Sequence, residues 1–594
     1  MLPPDSRVVA VELLRAPEGY TLDSAVLTSY SLDLETLLAL PLAVLSQADA
    51  GIEQLLRDPL LLLESLRESG QKIHVFVDES AIAVPRTERP LFSMLEASVH
   101  SVKAPNGGAF HPKVWAARFV APGRKPMLRV AVLSRNLTYD RSWDLGIVSC
   151  ATEKSGAEAS SSRDLARLFA TLPSLCTESL PTIASDLVSS MSESLGRTLF
   201  PAPEGFTGNI EYTVFGLDSG VQSPWQPLQS ASRVLAMAPF VNQTALSVLA
   251  QLGSKDKRSL ISRQDSLDAL PESGLEPWGD VRVMSESIED ESEDGVPTEL
   301  SGLHAKLLGL EHSWDVTWFA GSSNLTAAAF TGANVEMMAS VTGRRSKSGI
   351  ERFEEAGIGR MLEPYRRIER PVEDAALTKA IEELESAKRT VIDSALRIAT
   401  AEADTDWQWT LEGKVELPDS VAVHHWPISL SASASRPLVL PVSWRIPTSH
   451  LTAFVAFHCK SSHPKVEDIH FVLKLPTQGF PENRVNQVLR TLIDSPERFL
   501  QFLRALLGGL EGLVDWADGR NEPGTGESWN LPALGDETLL EDLLRMASRD
   551  PQRLEPIRRL IYDLEQSDGD KLVIPREFLH IWKVVERSLA ERKA

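Results

Sequence analysis

The first copy of a repeated motif reads Phe110-His111-Pro112-Lys113, then Ser134-Arg135-Asn136-Leu137-Thr138, then Asp144. The second copy reads Leu303-His304-Ala305-Lys306, then Ser322-Ser323-Asn324-Leu325-Thr326, then Glu336. Each copy therefore places a His-x-Lys triplet, a Ser-x-Asn-Leu-Thr turn and an acid in the same order. Two equivalent half-sites in one chain predict one composite active site.

The sequence around each motif repeats as well. Strand-like runs at 24–30 and 233–240 are each followed by a helix, at 33–42 and at about 243–250. A second strand is expected at 72–77 and at 259–263, and the His-x-Lys triplets are expected on strands 110–119 and 303–310, each followed by one more strand at 128–134 and 315–320. This pattern predicts an α/β fold made of two duplicated halves that share one active site.

The chain divides into five predicted segments. Residues 1–200 and 201–365 are the two halves, and 366–404 is a long amphipathic helix that bridges domains. Residues 405–480 form a small β-sandwich-like domain, because short strand runs there alternate with proline-rich turns. Residues 481–594 form a helical domain that serves docking or oligomer contacts.

Composition narrows the setting. The chain is 43% apolar and 24% charged, and it contains neither an apolar run of membrane-spanning length nor a signal-peptide pattern at its start, so a cytoplasmic protein is expected. The three cysteines, Cys150, Cys176 and Cys459, fit neither a disulfide framework nor a zinc site. The net charge is −22, yet residues 101–141 carry eight basic residues against one acid. That stretch is either a solvated surface loop or a local field for phosphate.

The motif residues suit phosphodiester cleavage. A neutral imidazole can attack phosphorus and an imidazolium can protonate the leaving oxygen. Lys113 and Lys306, with the amides of Asn136 and Asn324, would hold the phosphate from both sides. The remaining motif acids, Asp144 and Glu336, would orient the imidazoles of His111 and His304. This chemistry requires no metal and no cofactor.

The paired triplets resemble the signatures of the phospholipase D superfamily, over about residues 20–345. The second half matches more fully, with Glu311 where the family often has Asp, whereas the first half has Arg118 there and Leu133 in place of a glycine. The first half is similar in these features to tyrosyl-DNA phosphodiesterase. The resemblance implies a covalent phosphohistidine on His111, with His304 as general acid and then as base.

Several substrates remain open at this point. The basic stretch favours nucleic acid, DNA in preference to RNA, and further substrate contacts are expected from Ser134, Arg135, Ser322, Ser323, Arg118 and Trp143. One alternative is a non-catalytic nucleic-acid-binding scaffold with a degraded first half, which Arg118 would signal. Another alternative is a soluble phospholipase D.

The layout also resembles bacterial phospholipase D-like nucleases of antiphage or restriction systems. That resemblance implies a helicase or another defence-system protein as partner. No membrane association is expected, because no apolar run is long enough, and the C-terminal helical segment is where contacts of a homo-oligomer would lie. The segment 286–299 carries seven acids and no basic residue. It is either a solvated linker or an autoinhibitory nucleic-acid mimic that covers the cleft.

Overall fold

The structure is a computed structural model. It describes residues 10–45, 66, 70–138, 142–220, 222–228, 230–284, 289–291, 297–299, 302–355, 358–368, 374–482, 484–500, 503, 543–544, 547, 554–565 and 573–593. Of the predicted acidic segment, only the backbone of two short paired stretches, 289–291 and 297–299, is described. The autoinhibitory hypothesis therefore lies largely outside the described residues.

Six strands form the first sheet: β1 (Thr21–Ser29), β2 (Ile73–Asp78), β3 (Val99–Val102), β4 (Val114–Val120), β5 (Met127–Leu133) and β6 (Gly146–Thr152). Their order across the sheet is β3-β2-β1-β4-β5-β6. The first three run parallel to one another, and β4, β5 and β6 each run antiparallel to their neighbours. Every position of β2 is buried, as expected for an apolar strand covered on both faces.

The second sheet repeats this plan. Its strands, with the separate β11 and β12 pair, are β7 (Thr207–Phe215), β8 (Arg233–Met237), β9 (Arg258–Ser262), β10 (Asp280–Met284), β11 (Glu289–Glu291), β12 (Pro297–Glu299), β13 (Leu307–His312), β14 (Asp315–Gly321), β15 (Glu336–Arg344) and β16 (Leu362–Pro364). The order is β16-β10-β9-β8-β13-β14-β15-β7. When the edge strands β16 and β7 are left out, each remaining strand of the second sheet has a counterpart in the first sheet with the same neighbours and the same directions. The predicted duplicated α/β fold is confirmed.

The two halves share one hydrophobic core. Phe76 and Val130 of the first sheet belong to the same buried cluster as Met237 and Ala339 of the second. The outer face of the first sheet packs against α1 and against later parts of the chain, and the outer face of the second packs against its own helices. The helices of the two halves are α1 (Leu34–Leu45), α2 (Arg163–Leu175), α3 (Thr182–Arg197), α4 (Gln243–Leu249), α5 (Gln264–Asp268), α6 (Glu272–Leu275), α7 (Ala327–Phe330), α8 (Arg345–Ser348) and α9 (Ile350–Glu355).

A β-rich region follows the second half. It contains β17 (Arg397–Ala403), β18 (Asp406–Glu412), β19 (Val421–Pro427), β20 (Arg436–Pro437), β21 (Val442–Ile446), β22 (Phe454–Ser461), β23 (Ile469–Lys474) and β24 (Thr477–Gln478). These strands form two four-stranded sheets, β21-β18-β17-β24 and β20-β19-β22-β23. Trp409 of one sheet and Phe457 of the other lie in the same core, as in a sandwich.

The segment expected to be a bridging helix has a different structure. The helix is α10 (Ala375–Asp393), and the chain then enters β17. Leu384, Ala387 and Val391 are buried in the core of the β-rich region, whereas Ile381 is 46% exposed. The apolar face formed by Leu384, Ala387 and Val391 therefore packs the helix against the sandwich.

The helices described beyond residue 481 are α11 (Arg484–Leu492), α12 (Glu555–Glu565) and α13 (Arg576–Lys593). Val488, Ile557 and Phe578 of these helices join the cluster on the outer face of the first sheet. All three cysteines are free thiols. Among the residues that the structure describes, no helix is both long and apolar enough to cross a membrane.

Candidate active site

The strand order brings all the motif residues to one end of their sheets. The His-x-Lys triplets do not lie within strands as expected but in the extended segments just before β4 and β13. The Ser-x-Asn turns begin where β5 and β14 end, and the acids lie at the start of β6 and β15. Neighbouring antiparallel strands alternate direction, so the start of one strand and the end of the next meet at one edge. The duplicated order thus builds two half-sites.

Backbone contacts join the two half-sites. Phe110 pairs with Val335, and Trp143 pairs with Leu303, as isolated parallel bridges between the halves. The His111 amide donates to the Val335 carbonyl at 2.9 Å, and the His304 amide donates to the Trp143 carbonyl at 3.1 Å. In both bridges, the residue before a histidine lies beside the residue before an acid. Each histidine is therefore held next to the acid of the other half.

The side chain of each histidine likewise contacts the acid of the other half. His111 Nδ1 lies 2.8 Å from Glu336 Oε2, and His304 Nδ1 lies 2.8 Å from Asp144 Oδ1. A carboxylate accepts the proton of Nδ1, which leaves Nε2 of each ring as the atom available for attack or proton transfer. The predicted role of the acids in orienting the imidazoles is therefore geometrically available. The sequence order alone would have matched each histidine with the acid of its own half.

Two motif serines hold the acids, and neither faces a substrate. Ser134 Oγ donates to Asp144 Oδ1 at 2.7 Å and accepts from the Leu145 amide at 2.9 Å. Ser322 Oγ donates to Glu336 Oε2 and accepts from the Met337 amide at 3.0 Å. Both serines are fully buried. The expectation that they bind substrate is corrected, because their hydroxyls are already engaged with the acids.

The two motif lysines lie deep in the site. Lys113 is fully buried and Lys306 is 1% exposed. Each Nζ donates to the carbonyl of its own histidine, at 3.0 Å for Lys113 and 2.6 Å for Lys306. Burial, and then the charge of Lys306, lowers the pKa of Lys113 well below its ordinary value. The charge of Lys306 thus acts on Lys113 from the other half of the molecule.

Both motif asparagines have unsatisfied amide oxygens. The Oδ1 atoms of Asn136 and Asn324 are buried, and neither has a hydrogen-bond partner among the described residues. A buried polar atom without a partner costs about 1–3 kcal/mol. If either amide group rotates by 180°, its NH₂ group takes the position of its oxygen and can donate hydrogen bonds there. The asparagines are therefore suited to bind a ligand that supplies the missing partners.

Burial and charge give the catalytic groups distinct proton affinities. Burial lowers the pKa of His111 from 6.5 to about 4, although Glu336 opposes the shift. Burial would raise the pKa of Glu336, but the charge of His111 and its hydrogen bond outweigh that effect and lower it. Burial would also raise the pKa of Asp144, but the hydrogen bond and charge of His304, the hydrogen bond from Ser134 and the charge of Lys306 together lower it. At neutral pH the site therefore contains two carboxylates and a neutral His111.

Three supporting residues were not foreseen. The ring of Tyr30, at the end of β1, lies 5.1 Å from the ring of His111 and 5.8 Å from Lys113 Nζ. Asp78 Oδ2, at the end of β2, accepts the Phe110 amide at 2.8 Å. Asn334 Nδ2 donates to Glu336 Oε1 at 3.2 Å. These residues position His111 and its acid, and the only sequence signal for them was their place at the ends of strands.

Arg118 does not reach the site. It lies on β4, seven residues beyond His111, and its guanidinium pairs with Asp23 at 2.8 Å and with Glu153 at 2.9 Å. Seven residues of extended chain span roughly 23 Å. The equivalent residue, Glu311, is likewise occupied elsewhere, because its Oε1 accepts the Ile350 amide at 2.9 Å. The expected substrate contact is corrected, and an arginine here does not mark a degraded half-site.

The other predicted substrate contacts are placed as follows. Trp143 is half-buried against the shared core, and its carbonyl accepts the His304 amide, so its expected stacking role is corrected to a framework role. Ser323 is 3% exposed, and its hydroxyl donates to the Asn324 carbonyl at 3.2 Å. Arg135 is half-buried between Ser134 and Asn136, and it donates to the Thr138 carbonyl at 3.1 Å.

Several basic residues of the stretch 101–141 make structural contacts. Lys103 pairs with Asp393 at 2.6 Å and with Glu79 at 3.3 Å. Arg129 donates to three carbonyls near the start of the chain, including that of Leu13 at 3.0 Å. Arg124 lies over the ring of Tyr20. The acidic partners of Lys103 therefore offset its charge, whereas Arg124 and Arg129 contact a neutral ring and neutral carbonyls and keep their contribution to the expected field.

Comparisons with known proteins give a limited picture. No protein-family model matches the chain, and no curated protein matches it significantly. Among solved structures, the chain is similar to yeast tyrosyl-DNA phosphodiesterase, with 10% identity and a TM-score of 0.35 over 58% of this chain and 88% of that one. A mutant of the same enzyme gives 10% identity and a TM-score of 0.37 over 57% and 85%. Similarity at this level carries no information about the activity of this chain.

Proposed function

We propose that the protein is a metal-independent phosphodiesterase that cleaves nucleic acid, DNA in preference to RNA, through a phosphohistidine intermediate. The observation that carries this proposal is the exchanged pairing of two imidazoles with two carboxylates, each through Nδ1 at 2.8 Å. Such pairing leaves two Nε2 atoms for one reaction, and the two buried lysines supply the positive charge that a phosphoryl group needs.

His111 is the proposed nucleophile. Its pKa of about 4 keeps the imidazole neutral at physiological pH, and Glu336 stabilises the positive charge that develops on attack. Nε2 of His111 bonds to phosphorus while the bond from phosphorus to the leaving oxygen breaks. That oxygen takes the proton from Nε2 of His304, which is left neutral.

His304 then works in reverse. Its neutral Nε2 removes a proton from water, the resulting oxygen bonds to phosphorus, and the bond to His111 breaks. His304 regains its proton and His111 returns to the neutral form, so the cycle closes without an external acid or base. Lys113, Lys306 and the amides of Asn136 and Asn324 would bind the non-bridging phosphoryl oxygens in both steps.

An exposed aromatic residue near the site supports a nucleic-acid substrate. Phe240 is 46% exposed, and its carbonyl accepts the amide of Leu325, the neighbour of Asn324, at 3.1 Å. The Arg263 guanidinium lies 5.7 Å from the centroid of the Phe240 ring. An aromatic face beside a cation is the arrangement on which bases of a single strand stack. Phe240 and Arg263 replace Trp143 as the proposed stacking residues.

The finer predictions rest on sequence resemblance. These are a role in bacterial antiphage defence and a helicase or other defence partner, whereas self-association is expected from the helical C-terminal segment and a cytoplasmic location from the composition. The non-catalytic scaffold is disfavoured because Arg118, its main support, lies away from the histidines. The phospholipase alternative is distinguished by experiment.

The test is a cleavage assay in EDTA with labelled single- and double-stranded DNA, RNA and phosphatidylcholine vesicles. We expect cleavage of DNA, and a loss of about 10⁴-fold or more in His111→Ala, since a nucleophile variant retains only binding and electrostatic effects. His304→Ala should lose roughly 10²- to 10⁴-fold.

The matched control is His580→Ala, which removes an exposed histidine from α13 and should cleave as the unmodified chain does. Cleavage that persists in both active-site variants, or that requires added magnesium, would contradict the proposal. Headgroup release without DNA cleavage would favour the phospholipase, and binding without any turnover would favour the scaffold.

A further inference from the structure

Three histidines lie side by side on the β-rich region, away from the motif residues. His424 on β19 is in register with His458 on β22, and His458 is in register with His470 on β23. The rings of His458 and His470 are stacked, with centroids 4.2 Å apart and planes 10° apart. The rings of His424 and His458 are 6.4 Å apart. Three imidazoles are thus aligned across three neighbouring strands.

An aspartate completes the cluster. Asp468 immediately precedes β23, and its Oδ2 lies 2.7 Å from Nε2 of His458. One ligand atom from each of His458, Asp468 and His470 lies within 4.8 Å of the other two. A metal bound by ligands at about 2.0–2.2 Å requires ligand atoms at such separations, after small side-chain rotations.

The cluster is accessible and serves no core. The next row on the same face, Trp426, Ala456 and Val472, is buried against the first sheet. By contrast, His470 and Asp468 are exposed and His458 is half-buried. Two stacked imidazoles on an exposed sheet bury little apolar surface, so packing does not account for them.

We infer that His458, Asp468 and His470 bind one divalent transition-metal ion of the zinc class, with water in the fourth position. Two imidazole nitrogens and one carboxylate oxygen suit Zn²⁺, Co²⁺ or Ni²⁺ better than Mg²⁺ or Ca²⁺, which prefer oxygen ligands. Binding would replace the present contact between His458 and Asp468 by two bonds to the ion. The site would fasten β22 to the chain segment that leads into β23.

The test uses the full chain, stripped with EDTA and dialysed into chelator-free buffer. Zn²⁺ is titrated by calorimetry, and Co²⁺ is titrated by its visible absorption, which reports tetrahedral coordination. We expect the unmodified chain to bind one ion more per chain than His470→Ala. Asp468→Asn keeps a hydrogen-bond acceptor for His458 and should weaken binding at this site roughly 10- to 100-fold. His580→Ala is the matched control and should bind as the unmodified chain does.

Folding is checked by thermal unfolding of the metal-free proteins. Because the altered residues are largely exposed, the variants should melt with the unmodified chain, and added Zn²⁺ should raise the melting temperature of the unmodified chain more than that of the variants. Equal ion stoichiometry and affinity in the unmodified chain, His470→Ala and Asp468→Asn would overturn the inference. Equal competition by Ca²⁺ or Mg²⁺ would overturn the zinc-class assignment. This inference does not depend on the proposed function, since EDTA is expected to leave cleavage intact.

Discussion

The two halves of the molecule share a strand order but surround their histidines differently. In the first half, Leu32 forms a backbone bridge with Leu137 of the Ser-x-Asn turn. Tyr30 lies two residues before Leu32, and the ring of Tyr30 lies next to the ring of His111. In the second half, the equivalent position before Val241 is Pro239, which has no aromatic ring. Burial lowers the pKa of His111 to about 4. The duplicated topology thus supplies two imidazoles in equivalent positions but in unequal surroundings, which supports the proposal that His111 is the nucleophile.

A second difference between the halves lies at the rim of the site, which here means the residue just before the backbone bridge to each Ser-x-Asn turn. Phe240 in the second half is a large exposed ring, whereas the equivalent residue in the first half is Ser31. The second half, which has no aromatic ring next to its histidine, therefore has an aromatic ring exposed to solvent. This contrast supports the proposal that the first half attacks phosphorus and that the second half transfers protons and holds the strand.

Apart from the histidines themselves, the largest expected effect comes from the exchanged acids. Glu336→Gln and Asp144→Asn should each lower the cleavage rate by roughly 10²- to 10⁴-fold, because a neutral amide lacks the negative charge that stabilises the imidazolium and its NH₂ group can hold the imidazole in the wrong tautomer. Single-turnover cleavage of labelled DNA measures the effect. Asn334→Ala should cost less, because it removes only a supporting hydrogen bond to Glu336. Full activity of Glu336→Gln would break the comparison.

The next effect concerns the rim of the second half. Phe240→Ala should weaken binding of single-stranded DNA by about 1–3 kcal/mol, or roughly 5- to 150-fold, since one stacking surface is lost. The rate from the saturated complex should change little. Ser31→Ala, at the equivalent place in the first half, is the control and should leave KM unchanged. A large fall in kcat with unchanged KM would argue against a stacking role.

Tyr30→Ala should change the pH dependence of cleavage. His111 must be neutral to attack, so kcat/KM of the unmodified chain should fall only as the pH drops through about 4. Loss of the ring reduces the burial of His111 and raises its pKa toward the ordinary 6.5, so the fall should begin at a higher pH. Tyr30→Phe keeps the ring and should keep the original profile. Identical profiles for all three proteins would show that Tyr30 does not tune His111.

The smallest effect on activity is expected at the position that differs most in sequence. Arg118→Ala should leave kcat/KM unchanged and lower the free energy of unfolding by about 1 kcal/mol or less, because its ion pairs are partly exposed. Glu311→Ala should also keep its activity but destabilise by about 1–3 kcal/mol, since the buried Ile350 amide loses its acceptor. Chemical denaturation measures both. A strong fall in kcat/KM of folded Arg118→Ala would place that residue in the site.

Much of the fold followed from the sequence because the motif was duplicated. The repeated pattern predicted four strands in each half to within a few residues, without their directions, and the repeated order predicted one composite site. The exchange of Asp144 and Glu336 between halves was not predictable, because sequence order favours local partners and the exchange depends on how the two sheets face each other. The roles expected of Ser134, Ser322 and Arg118 were wrong for the same reason, since hydrogen bonds decide between supporting an acid and binding a substrate.

The exchange is tested most directly by the burst kinetics of a thymidine phosphodiester with a p-nitrophenyl leaving group. This leaving group needs little help from an acid, so the first step depends on His111 and the second on His304. We predict that Asp144→Asn gives a rapid burst of nitrophenolate followed by slow turnover, with a phosphoenzyme that is trapped by an alkaline quench because phosphohistidine is labile in acid, and that Glu336→Gln gives no burst. The reverse pattern, with the burst retained in Glu336→Gln and lost in Asp144→Asn, would contradict the exchanged pairing.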